Sequence, residues 1–303
     1  MAEIYDTDRF GVLYYASRQP TSTHLLLAAN HLAQVCESAG ISHAFLGGWT
    51  VRLRGGTRET QDVDITVATT MELFKKATLQ MPRICFPQTH GQTAVNLFVH
   101  TGKSWDQGYK DLPDLAVQVD VIISGQLNSP TEINDNTSEV VTLPNGIKAV
   151  VVNTFYLLRG KFHAFNTRGD TNTNDYQDLV FLITKYPKVM SQHGRDIEEA
   201  YRLAFLRKYA ETNAANQNFI EWMRQTLGLM KVDTENEEEE VSSDRVWDET
   251  YQRYKKQVGG NWQWVPLQQQ TSQPEASGSA WTWDETHQRY RQYVNGQWVW
   301  APS

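Results

Sequence analysis

Residues 45–67 read FLGGWTVRLRGGTRETQDVDITV. A short apolar run, His43 to Leu46, enters a pair of glycines, Gly47 and Gly48. Trp49 to Arg54 reads as a helical turn, Gly55 and Gly56 interrupt it, and Asp62 to Val67 has the composition of a second strand. On a strand, residues two apart project from one face, so Asp62 and Asp64 aim two carboxylates the same way while Val63 and Ile65 pack behind them. Neighbouring anions repel, and burying them without partners is costly. A divalent cation resolves that conflict. Gly47 and Gly48, at a strand-to-helix corner, present backbone without side chains, so phosphate oxygens can approach the amides and the helix N-terminus.

The flanking sequence supplies a third acid. Ala94 to His100 and Leu115 to Ser124 alternate as strands do, and Asp120 stands alone among apolar neighbours in the second of them. If that strand lies beside the one bearing Asp62 and Asp64, all three carboxylates share the cations. An all-oxygen set of this kind suits Mg²⁺ or Mn²⁺, which seldom receive a full protein cage and are completed by water and phosphate.

Upstream, Ser22 or Thr23 is the expected cap of a helix whose apolar positions Leu25, Leu26, Ala29, Leu32, Ala33 and Cys36 recur at helical spacing as far as Gly40. Met71 to Leu79 suits another helix. Val140 to Val152, broken at Asn145-Gly146, reads as a hairpin, because that dipeptide accepts the positive φ angles of a tight turn. After Asn153 the period turns helical: Phe155 to Phe165, Asp175 to Lys185, Asp196 to Tyr209 and Asn216 to Leu229. The expected class is α+β, a mixed sheet flanked by helices and followed by a helical region.

The chain has 303 residues and a net charge of −7, distributed unevenly. Residues 231–303 hold 7 Lys and Arg against 12 Asp and Glu, leaving 21 against 23 for residues 1–230. Neither part has the basic excess that drives binding to a polynucleotide backbone, which disfavours a nucleic-acid polymer as partner. Cys36 and Cys85 match no metal-knuckle or secreted disulfide pattern, and the eight histidines form no ligand spacing. His43, His90, His100 and His163 read as ordinary structural or surface side chains. Glu3, Asp6 and Asp8 stand where a signal peptide would be basic and then apolar, and no apolar run approaches membrane length. The expectation is a soluble cytoplasmic protein, neither secreted nor membrane-bound.

Composition shifts near residue 231. The tail has one leucine, Leu267, yet seven of the ten tryptophans. Trp247-Asp-Glu-Thr-Tyr-Gln-Arg-Tyr254 recurs 36 positions later as Trp283-Asp-Glu-Thr-His-Gln-Arg-Tyr290, and Trp262-Gln-Trp264 recurs as Trp298-Val-Trp300. The alternation Trp-x-Trp with Gly259-Gly260 and Asn295-Gly296 suits short hairpins. Aromatic faces beside Arg253 and Arg289 suit a protein, peptide or glycan partner, and a disordered aromatic tail is the competing reading. The repeats are distantly similar to WW-type peptide-binding modules, with a shorter Trp-to-Trp spacing and a different closing proline pattern. The expected organisation is therefore a sheet domain over 1–153, a helical region over 154–230 packed on it, and an acidic linker with two Trp-rich repeats, 247–264 and 283–300, over 231–303.

Gly47-Gly48, then Asp62-x-Asp64 on a strand and a distant Asp120, resembles the motif series of the polymerase-β-like nucleotidyltransferase superfamily. The Gly-Gly-Trp-Thr form is similar to the branch containing antibiotic nucleotidyltransferases, and also to the AbiEii-type toxin and MNT-like branch. The resemblance covers residues 20–185 approximately. It implies that Gly47, Gly48, Trp49 and Thr50 meet the nucleotide, that Asp62, Asp64 and Asp120 are catalytic and hold Mg²⁺ or Mn²⁺, and that Lys161 and Arg168 hold the triphosphate or the leaving pyrophosphate. Thr50 follows Trp49 where many relatives place a hydroxyl directly after the glycines. Asp178, in Asp175-Tyr-Gln-Asp178, is expected to orient Lys161 or Arg168. The implied activity is transfer of a nucleoside monophosphate from an NTP to a hydroxyl of a small molecule or protein, with Asp120 also available as a base. The alternative is an inactive nucleotide-binding or adaptor protein acting through its Trp-rich repeats.

Overall fold

The computed structural model describes residues 1–143, 146–169 and 173–229, and, in the tail, 245–248, 253–258, 261–264, 282–284, 289–294 and 297–300. The chain divides into two compact units, Met1–Lys231 and Val232–Ser303. In chain order the first unit runs β1 (Glu3–Tyr5), α1 (Thr7–Ala16), α2 (Ser22–Ser38), β2 (His43–Leu46), α3 (Gly47–Leu53), β3 (Asp62–Val67), α4 (Met71–Thr78), β4 (Ile84–Pro87), β5 (Ala94–Thr101), β6 (Leu115–Ile123), β7 (Ser138–Thr142) and β8 (Lys148–Val152). Helices α5 (Thr154–Arg168), α6 (Thr173–Lys185), α7 (Pro187–His193), α8 (Glu199–Thr212) and α9 (Gln217–Thr226) follow.

Among the described residues, eight strands form one mixed sheet in the order β1-β4-β5-β6-β3-β2-β8-β7. At its centre β3 runs parallel to β6 and antiparallel to β2. One face of the sheet carries Phe45, Val63, Ile65, Leu97, Val119 and Val121 against α2 and α4, where Leu25, Leu32, Val35 and Phe74 close the core. The other face is covered in two pieces. At the β1 end, Tyr5, Leu13, Cys85, Phe98 and Ala116 pack together under α1. At the β8 end, Ala44 and Val152 pack into a second large core with Leu158, Phe162, Leu179 and Phe205 of the C-terminal helices. Between these two covers, the middle of β3 and β6 is left without a lid of apolar side chains. That gap is where Asp62, Asp64 and Asp120 lie.

Local sequence explains most element ends. Thr21 rather than Ser22 or Thr23 caps α2, because the His24 ring closes a capping box by accepting from the Thr21 backbone N–H at 3.1 Å. The first helical turn after β2 starts at Gly47, two residues before Trp49. Arg195 and Asp196 lie in a short 3₁₀ turn and Ile197 is extended, so the helix expected from Asp196 begins at Glu199. Strands β1 and β4 and helices α1 and α7 escape the periodicity argument. The two strands are three and four residues long, and α1 leaves Val12, Tyr14 and Tyr15 exposed, so its pattern is not amphipathic. Strands β7 and β8 pair as a hairpin, with Leu143 N–H donating to Ile147 O at 2.7 Å; the expected turn at Asn145 lies outside the described residues. Arg54, buried at the end of α3, ties this hairpin to the site by donating to Val152 O at 2.7 Å and pairing with Glu139.

Among the described residues, the second unit contains two three-stranded antiparallel sheets, β9 (Arg245–Asp248), β10 (Arg253–Val258) and β11 (Asn261–Trp264), then β12 (Thr282–Asp284), β13 (Arg289–Val294) and β14 (Gln297–Trp300). Their registers are equivalent: Tyr254 faces Trp247 as Tyr290 faces Trp283, and Lys255 faces Trp264 as Arg291 faces Trp300. The turn glycines Gly259-Gly260 and Asn295-Gly296 lie outside the described residues. No helix among the described residues is long and apolar enough to cross a membrane.

Candidate functional site

The gap on the sheet opens into a cavity of about 350 Å³ between β3, β6 and helix α5. Its floor is set by register. In the parallel β3–β6 pair Asp64 stands opposite Asp120, and Asp62, two residues earlier on the same face, stands opposite Gln118. Alternation along β3 buries Val63 and Ile65 in the core behind, so the two aspartates cannot turn away from the cavity. All three lie on the cavity wall.

Each carboxylate has a defined support. Thr60 donates to Asp62 Oδ1 at 2.7 Å, and Asn96 on β5 donates to Asp120 Oδ1 at 2.5 Å. Asp64 is held by shape: a Cβ at Gly47 would lie 1.7 Å from Asp64 Oδ2, and Gly47 has φ +71°. Glycine is therefore required twice over at position 47, for backbone conformation and for room. At Gly48 a Cβ would lie 2.5 Å from Arg58 Nη2. Burial, then the Asp62 and Asp120 charges, holds the Asp64 carboxyl well above the usual range, with Lys161 and Arg168 pulling the other way. Burial and Asp62 also raise Asp120, opposed by the hydrogen bond from Asn96. These are the electrostatics of a cluster that lacks enough positive charge.

The opposite wall is cationic and comes from the loop before β3 and from α5. Lys161, buried, shares its amine between Asp175 at 2.9 Å and Asp178 at 2.7 Å. Burial alone would lower the Lys161 pKa, but the Asp178 and Asp175 carboxylates outweigh it and hold it up. Arg58 forks onto Asp178 through Nε at 3.0 Å and Nη2 at 2.8 Å, and Arg168 meets Asp175 Oδ2 at 3.0 Å with 61% of its side chain exposed. Among the described residues, three cations (Arg58, Lys161, Arg168) thus face four anions (Asp62, Asp64, Asp120, Asp175) around the cavity. An added polyanion would meet a site already short of positive charge unless cations enter with it.

Gly47, Gly48, Asp62, Asp64, Asp120, Lys161 and Arg168 are brought together here. Trp49 and Thr50 are not. Trp49 packs edge-on to Phe45 in the core at 5.1 Å, and Thr50 is fully buried with its hydroxyl donating to Gly47 O at 3.0 Å. Both point from α3 into the protein, so their part is to hold the glycine corner, which corrects the expectation that they touch the nucleotide. Asp178 orients Lys161 as expected, and its second partner is Arg58 rather than Arg168. The structure adds Arg58, Thr60, Asn96, Asp175 and His163, which sequence reasoning does not single out as site residues. Arg58 sits inside the quoted segment and Asp175 three residues before Asp178, so spacing offers a hint for those two. His163 lines the cavity, and its Nδ1 finds no hydrogen-bond partner among the described residues.

No protein-family model matches the sequence, and no curated protein matches it. Among solved structures, the chain is similar to an antigenic nucleotidyltransferase-like protein from Paracoccidioides brasiliensis, with 17% identity, a TM-score of 0.47, and coverage of 66% of this chain and 94% of that one. It is also similar to the antibiotic-resistance factor ANT(2'')-Ia, with 13% identity, a TM-score of 0.42, and coverage of 65% of this chain and 100% of that one.

Proposed function

We propose that the chain is a metal-dependent nucleotidyltransferase that moves a nucleoside monophosphate from an NTP to a hydroxyl of a small molecule or protein. The observation that carries this reading is the register of β3 on β6, which sets Asp64 opposite Asp120 on a wall shared with Asp62, facing Gly47, Gly48 and Arg168. The donor set fits Mg²⁺ or Mn²⁺: it is all oxygen, its charges repel one another, and Gly47 leaves Asp64 Oδ2 the room it occupies. Asp62, Asp64 and Asp120 would hold the ions, which when bound offset phosphate charge and ease deprotonation of the acceptor.

The remaining parts belong to the chain. Arg168, at the cavity rim, offers its guanidinium fork to phosphate oxygens. Lys161 is engaged by two carboxylates, so it acts by fixing α5 against α6 and adding positive potential. Gly48 leaves room for Arg58 and Thr60 to lie against the backbone, and the Arg58–Asp178 fork stiffens that corner. The acceptor oxygen forms a bond to the α-phosphorus, the bond to pyrophosphate breaks, and the acceptor proton passes to Asp120 or to solvent. A carboxylate is a stronger base than water, which favours Asp120 where it is free to accept the proton.

The test is incubation of the full chain with α-labelled NTPs and Mg²⁺ in cell extract. Label should enter a hydroxyl-bearing species with release of pyrophosphate, and chelation should stop it. Absence of label with all four nucleotides, together with no Mg²⁺-dependent nucleotide binding by calorimetry, would sink the proposal. For the tail, the matching registers of the two small sheets support a paired recognition module for a protein or peptide.

A further inference from the structure

At the outer edge of the sheet a second cluster of ligating side chains is built from three strands. Glu3 on β1 is the register partner of Cys85 on β4, and Cys85 is opposite Phe98 on β5, two residues before His100. The three side chains share one face. Cys85 Sγ lies 3.2 Å from His100 Nε2 and 3.5 Å from Glu3 Oε2, and His100 Nε2 lies 3.8 Å from Glu3 Oε2.

We propose that Glu3 Oε2, Cys85 Sγ and His100 Nε2 form a site for a divalent cation of the zinc class, with a fourth position open to water. Bond lengths of about 2.3 Å to sulfur and about 2.0–2.2 Å to nitrogen and oxygen give ligand–ligand edges of about 3.4–3.6 Å in a tetrahedron. The three observed separations bracket that range. Hydrogen bonding alone accounts for the cluster less well. The thiol can donate to the carboxylate and accept from the imidazole, but the Glu3–His100 edge of 3.8 Å is too long for a hydrogen bond, so hydrogen bonding closes only two of the three edges. A metal ion uses all three atoms at once. The mixed sulfur, nitrogen and oxygen set also differs in kind from the all-carboxylate cavity, and it selects zinc over magnesium.

The surroundings hold the ligands in place. Trp105 stacks on the His100 ring at 5.0 Å and 8°, and Arg83 grips the His100 carbonyl through two donors at 3.0 and 2.9 Å. Arg9 holds the Glu3 carboxylate from the other side, donating to Oε1 at 2.6 Å and more weakly to Oε2 at 3.4 Å, while Oε2 lies 3.5 Å from the sulfur. Burial pushes the Cys85 thiol up to about 12, so the metal-free cluster keeps the proton. Formation of the sulfur–metal bond releases it to solvent. Bound metal would fasten β1, a three-residue edge strand, to β4 and β5.

Titration of the full chain with Co²⁺, followed by Zn²⁺ competition, tests this. One equivalent of Co²⁺ should produce sulfur-to-cobalt charge-transfer absorption and the intense visible bands of four-coordinate cobalt, and Zn²⁺ should erase both. Cys85→Ser should abolish the charge-transfer band. Glu3→Gln, at a partly exposed position, should weaken binding at least about tenfold. Asp64→Asn should leave the band intact. No charge-transfer band in the wild type, a band surviving Cys85→Ser, unchanged affinity in Glu3→Gln, or loss of the band in Asp64→Asn would each overturn the assignment.

Discussion

Replacing Asp64 by Asn should stabilise the metal-free protein, the reverse of the usual effect of a polar substitution at a buried position. Neighbouring strands lie about 4.8 Å apart, so the register-paired Asp64 and Asp120 charges at an effective dielectric of about 20 repel by about 3 kcal/mol. Asp62, two residues along β3, adds to this, while Lys161 and Arg168 take part of it back. A net relief of about 1–3 kcal/mol follows, which for a unit of this size raises Tm by about 3–10 °C. The sign can be followed with pH. Because the folded pKa of Asp64 is raised, the wild type has no penalty below the unfolded value of about 3.9 and loses stability as pH rises through the folded value. The advantage of the Asp64→Asn variant should therefore vanish in acid and widen toward neutrality. Added Mg²⁺ or Mn²⁺ at about 100 times Kd should stabilise the wild type by about 2.7 kcal/mol and leave the variant unmoved, closing the gap. Calorimetric melting of both proteins, with and without metal across that pH range, is the assay. A lower Tm for the variant without metal, or an equal metal shift in both, would refute the reasoning.

Gly47→Ala must adopt φ +71° and displace the Asp64 carboxylate, so it should cost about 1–2 kcal/mol and abolish Mg²⁺-dependent transfer, read by denaturant midpoint and turnover together. Lys161→Met removes the cation shared by Asp175 and Asp178, each of which keeps an arginine, and should destabilise by about 1.5–3 kcal/mol, whereas exposed Arg168→Met should cost under about 1 kcal/mol and instead raise KM for the nucleotide. Thr50→Val removes the hydrogen bond to Gly47 O and should cost about 1 kcal/mol in a melting experiment with KM for the nucleotide unchanged; a large KM effect would return Thr50 to the phosphates.

Much of the candidate catalytic wall is legible in the amino-acid order. The spans expected for β2 and β3 agree with those observed, because alternation and a glycine pair are local signals that a few residues carry. The shared face of Asp62 and Asp64 follows from the pleat alone. Asp120 stands out because a lone carboxylate among apolar residues is costly, but its meeting with Asp64 depends on β3 pairing with β6, across more than fifty residues. Local pattern is weaker where the elements are short or not amphipathic, as in β1, β4 and α1.

Tertiary packing decided the rest. The direction of α3 turned Trp49 and Thr50 into the core, although they directly follow the glycines. Register and helix docking joined Arg58 to Asp178, and strand order assembled Glu3, Cys85 and His100 from segments with no common spacing. Chain order by itself determined which residues could not stay buried unpartnered, since desolvation cost is a property of the side chain. Which partners meet them is set by strand register and long-range contacts, whose energies come from surfaces brought together only when the whole sheet and its helices have packed.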